Sequence, residues 1–148
     1  ANHFSEIPES FWGLFRSRNR QIYIEALLQV NEEYQYSNYY LSREICIQAL
    51  SDYFARQKVD YAQEESEDDL DLLEPLATRI LNWLLRAGWL RKVEDYGTMT
   101  VNIVIPDYAA VFVDTWPGRT RMKPRCISRM STGFCSPLRM TRAPIFPC

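Results

Sequence analysis

Residues 70–105 read LDLLEPLATRILNWLLRAGWLRKVEDYGTMTVNIVI, where a helical apolar spacing gives way to strand-like alternation. Pro75 is suited to the first turn of a helix, and Leu73, Leu76, Ile80, Leu84 and Ala87 recur at spacings of three and four. That spacing predicts an amphipathic helix. Gly88 suits the left-handed position after it, and Arg86 lies in its last turn, where exposed carbonyls favour a cation. Trp89, Leu90 and Val93 then change to strand-like alternation, Asp95-Tyr96-Gly97-Thr98 supplies a turn, and Val101, Ile103 and Ile105 alternate on the return. A helix feeding into a hairpin is the closing half of a winged helix-turn-helix. The expected fold is therefore mainly α (α+β), a winged helix with extra N-terminal and C-terminal helices and a β-hairpin wing.

Outward from this block, Phe4 to Phe15 is dense in large apolar groups and predicts a short packed helix. A second helix is expected from an Asn19 cap to about Tyr36, and Ser42 caps a third, LSREICIQALSDYFARQ, with Ile45, Ala49, Leu50, Tyr53 and Phe54 on its apolar face. Cys46, with no Cys or His beside it, reads as a small buried hydrophobe. The run QEESEDDLD, residues 63–71, reads as a solvated acidic loop where a DNA-reading helix-turn-helix has a short turn. After the hairpin, Asp107 is placed to cap a last helix whose Tyr108, Val111, Phe112 and Thr115 can fold back on the domain.

The chain has 148 residues and a net charge of −2, which conceals a division. Up to Trp116 there are 10 Lys/Arg against 19 Asp/Glu, a net of −9; from Pro117 onward there are 7 Lys/Arg and no acid. The sequence thus divides into a winged-helix domain, 1–116, and a basic tail, 117–148. The tail carries Cys126, Cys135, Cys148 and five of the eight prolines without apolar periodicity, and reads as disordered or non-native, an out-of-frame extension, with a native basic DNA-binding tail as the alternative. No apolar run reaches the roughly 18 residues of a membrane span, and the chain reads as cytoplasmic.

Catalytic chemistry has little to draw on. His3 is the one histidine, no Cys-x-x-Cys pair occurs, and no Gly-rich phosphate loop is present, so neither an enzyme, a metal, a cofactor nor a small-molecule substrate is expected. Two binding classes remain. A DNA-binding winged-helix transcriptional regulator would use Arg79, Arg86, Arg91 and Lys92, yet the −9 body repels DNA, leaving only weak or indirect contact. An interaction module would use excess apolar surface. Leu72, Leu81 and Trp83 fall outside the main stripe, so with Phe11 and Trp12 of the N-terminal segment they are the candidate docking residues, the alternative being that Phe4 to Phe15 folds over this face within one chain.

Three blocks, FSEIPESFWGLFRSRNRQIYIEALLQVNEEYQ, LSREICIQALSDYF and RILNWLLRAGWL with VNIVIPDYA, resemble the N-terminal region of the JetA family of bacterial Wadjet defence systems. The resemblance spans about Phe4 to Trp116 and implies a MukF-like kleisin subunit of an SMC-type, condensin-like complex acting against plasmid DNA. It further implies winged-helix ends, contact with an SMC-type ATPase and a small winged-helix subunit, self-association as a homodimer, and a nucleoid-associated location. PGRTRMKPRCISRMSTGFCSPLRMTRAPIFPC does not resemble the continuation of that family.

Overall fold

The structure, a computed structural model, describes residues 6–116. The expectations for His3, Phe4 and the tail 117–148 lie outside these residues. A 3-10 helix, Glu9–Arg16, is followed by α1 (Arg20–Tyr36), β1 (Leu41–Ser42), α2 (Arg43–Ala55), α3 (Asp69–Leu72), α4 (Leu76–Ala87), β2 (Arg91–Asp95), β3 (Thr100–Val104) and α5 (Asp107–Thr115). The strands form an antiparallel sheet in the order β1-β3-β2. The result is mainly α with one small sheet, a winged-helix-like arrangement.

Local chemistry accounts for most boundaries. The Ser42 hydroxyl accepts the Ile45 N–H and starts α2. Gly88 ends α4 at φ 92°, and the N–H groups of Trp89 and Leu90 return to the Leu84 carbonyl. Other caps differ from expectation. Asn19 precedes α1 without capping it, because its amide pairs with the Ala62 backbone, donating to the carbonyl at 2.7 Å and accepting from the N–H at 2.8 Å. Pro75 occupies the cap position of α4, so Leu73 falls outside the helix and is 80% exposed. Pro106 does the same for α5, leaving Asp107 as a first-turn anion.

The core is built where helix faces meet the sheet. Leu41 of β1 pairs with Ile103 of β3, and both are fully buried with Leu27, Leu50, Ile80 and Leu84. β1 was not expected: two residues carry no periodic signal, and the strand exists because β3 offers it an edge. α2 buries Cys46 rather than Ile45, which is half exposed. Burial pushes the Cys46 thiol up to about 12, with Glu33 adding to the effect, so it behaves as the apolar group it was read to be. Val93 also points outward, one of four successive exposed residues of β2, Arg91 to Glu94.

The junction after α4 ties both ends of the domain together. A Cβ on Gly88 would stand 2.4 Å from Pro8 Cγ. Ser10 Oγ donates to the Ala87 carbonyl at 3.2 Å, Trp89 Nε1 to the Phe11 carbonyl at 2.8 Å, and Tyr108 Oη to the Gly88 carbonyl at 3.0 Å. Gly88→Ala combines a left-handed backbone with a steric clash and is expected to cost about 2–4 kcal/mol, measured by urea unfolding.

Candidate functional site

Three of the five docking residues read from the sequence are core residues, which corrects that reading. Phe11 and Leu81 are fully buried and Trp83 is 8% exposed. The physical reason is that α4 is covered on more than one side by its own chain. Trp83 stacks on Tyr23 of α1 at 4.0 Å and 5°, and Phe11 stacks on Trp89 at 3.7 Å and 14°. Trp12 is partly exposed and Leu72 is 38% exposed, so these two remain at the surface.

What does reach solvent is an aromatic patch formed by the 3-10 helix and α5. Trp12, Phe15, Phe112 and Trp116 are each partly exposed, and the rings of the first three connect: Trp12 to Phe15 at 6.4 Å, Trp12 to Phe112 at 6.0 Å and Phe15 to Phe112 at 6.1 Å. Trp89 lies beneath, 5.7 Å from both Phe112 and Trp116. Val111 is 65% exposed on the same helix. The expectation that Val111 and Thr115 fold inward is corrected: Ala109 and Val113 fill that role. Phe15, Val111, Phe112 and Trp116 were missed as surface residues. The aromatic density of residues 4–15 was the available signal, but which rings it exposes depends on where α5 lies.

The residues of the DNA-reading alternative are divided by the loop 63–71. Arg79, Asn82 and Arg86 form one polar stripe of α4 at spacings of three and four. Arg79 is gripped by Glu67 through a two-point ion pair, Nε to Oε2 at 2.8 Å and Nη2 to Oε1 at 2.9 Å, and its guanidinium lies 4.9 Å from the Tyr61 ring centroid. Arg86 faces Asp71 at 3.6 Å and donates to Ser66 Oγ at 3.3 Å. Arg91 and Lys92 are exposed at the base of the hairpin. The loop thus covers the stripe that a reading helix would present.

That geometry also corrects the reading of the acidic run as wholly solvated. Glu64 Oε2 accepts from Ser17 Oγ at 2.7 Å, Asn19 Nδ2 at 2.8 Å and Tyr23 Oη, and Tyr23 shares a hydrogen bond with Tyr61 at 2.7 Å. The Glu67 side chain is fully buried. Its hydrogen bonds to Arg79 hold its carboxyl below the usual glutamate range, and the same bonds raise Arg79. Burial pushes Tyr61 up to about 12 and Tyr23 further, so both phenols stay protonated as donors. Among the described residues no group of three or more His, Cys, Asp or Glu is placed to hold a metal ion, and no helix is long and apolar enough to cross a membrane.

The protein class these features define is a mainly α, winged-helix-like domain with a closed polar stripe and an open aromatic patch. The family model of Wadjet protein JetA matches residues 29–116, more than half of the chain, and the chain belongs to the JetA family. The match begins within α1, so the similarity seen before residue 29 lies outside it. No curated protein and no solved structure matches the chain.

A pH prediction follows from Glu67. Its folded pKa lies below the unfolded value, so the pair adds stability above the ordinary glutamate range and loses it as pH falls through the depressed value. Glu67→Gln is expected to cost about 2–3 kcal/mol near neutral pH. Denaturant titrations should show that penalty shrinking as pH falls below the ordinary glutamate range.

Proposed function

We propose that this domain is a non-enzymatic docking module of a Wadjet defence complex, working as the N-terminal part of a kleisin-like subunit. Membership of the JetA family supports a Wadjet subunit. The observation that carries the docking role is the connected, partly exposed cluster of Trp12, Phe15 and Phe112, which Trp116 joins through the buried Trp89, with Val111 exposed on the same helix as Phe112. Large aromatic groups that pack together while reaching solvent are suited to becoming the anchors of an interface. The occupant in this reading is a second copy of the chain, an SMC-type ATPase or the small winged-helix subunit, in the cytoplasm on or near the nucleoid. No catalytic step and no cofactor is assigned to the domain.

Sedimentation of the full chain against Val111→Asp tests the surface. Val111 is mostly exposed, so the variant should fold, while self-association or SMC-head binding weakens about tenfold or more. A monomeric wild type that binds no SMC head would overturn the docking role.

The DNA-regulator reading finds less support, because the loop carboxylates already engage Arg79 and Arg86. Any duplex binding by the full chain should change by less than about twofold in Arg86→Ala, since that guanidinium is engaged within the chain. A large loss in a salt-dependence series would restore the DNA-reading role.

A further inference from the structure

A second surface lies on the segment that locks α4. Leu70, Leu72 and Leu73 are 72%, 38% and 80% exposed, an unusual concentration of leucine in solvent for so short a stretch. They do not sit on a loose loop. Asp68 and Asp71 form a reciprocal capping box, with Asp71 N–H donating to Asp68 Oδ1 at 2.9 Å and Asp68 N–H donating to Asp71 Oδ2 at 3.0 Å. The N–H groups of Leu72, Leu73 and Glu74 bond the carbonyls of Asp68, Leu70 and Asp71. The mount is fastened to α4 by Glu67 on Arg79 and by Asp71 facing Arg86. Leu70 and Leu73, three residues apart across this turn, form an apolar ridge whose ordering cost is met before any partner arrives.

The surroundings select the partner. Glu65, Asp68, Asp69 and Glu74, which flank the leucines in sequence, are all exposed, no basic residue occurs between Lys58 and Arg79, and the neighbouring guanidiniums of Arg79 and Arg86 already face Glu67 and Asp71. Such a rim repels a second copy of itself, nucleic acid and an anionic membrane surface alike. We infer that the Leu70/Leu72/Leu73 ridge docks into an apolar groove rimmed by Lys and Arg on another protein subunit of the same complex. The inference rests on the Wadjet reading for the existence of that complex, but uses different residues from the aromatic patch. The fit is an apolar key with a charged collar: the leucines supply affinity, and the acids supply orientation and association rate.

The test is co-expression of the tagged full chain with the other subunits of its own Wadjet complex, followed by capture through the tag at low and high salt. Leu70→Ser with Leu73→Ser should lower retention of one subunit about tenfold or more, with melting unchanged, because both side chains are already in water. Glu65→Lys with Glu74→Lys should lower it too, and remove most of its salt dependence. Undiminished retention by the leucine variant overturns the ridge and leaves the Wadjet reading standing. Failure of the wild type to retain any subunit removes both. Loss of self-association in the leucine variant, with subunit capture intact, assigns the ridge to a second copy and overturns the basic-groove partner.

Discussion

Trp89 is the point on which this architecture depends. It is fully buried two residues after α4 ends, stacked on Phe11 and hydrogen-bonded to the Phe11 carbonyl. An indole that buries on the order of 200 Å² and satisfies its one donor binds the N-terminal segment to the helix-hairpin junction more firmly than sequence proximity could. Gly88 makes this possible, because only a residue without a side chain admits Pro8 at that distance while adopting positive φ. Tyr108 closes the junction from α5. The outer rings around Trp89 are what the domain has left over, and they constitute its aromatic patch.

The long connection between α2 and α4 solves a different problem. A helix carrying Arg79 and Arg86 would, without a cover, leave two guanidinium groups open to solvent. Here carboxylates of the same chain occupy that position. A buried ion pair adds little net stability over an apolar alternative, yet breaking it strands a charge. Its main effect is therefore geometric: Glu67 and Arg79 fix one placement of the loop, and Glu64 fixes the loop to Tyr23 of α1 and to Ser17 and Asn19 just before that helix. The exposed leucines between these anchors inherit their rigidity.

Much of the fold was legible in residues 70–105. Apolar spacing placed α4, Gly88 ended it, and Asp95 to Thr98 marked the hairpin turn, because helix periodicity, left-handed backbone and turn chemistry are local properties. The family was legible as well, spread over many residues rather than concentrated in a signature. The candidate surface was less so. Trp83 and Leu81 read as surplus apolar groups, and the structure turns them inward against α1 and the core.

Local sequence is enough for α1, α2, α4, α5, the hairpin, the inert Cys46 and the excess of acid in the body, whereas α3 falls in a run that reads as a loop. Which apolar and charged groups find partners is settled by the packing of distant elements. Asn19 meets Ala62 across 43 residues, Trp89 meets Phe11 across 78, and Glu67 meets Arg79 across 12. Periodicity along a chain reports which face of an element is apolar, but coverage of that face is a property of pairs of elements. Their mutual placement follows from long-range packing rather than from any local run of residues.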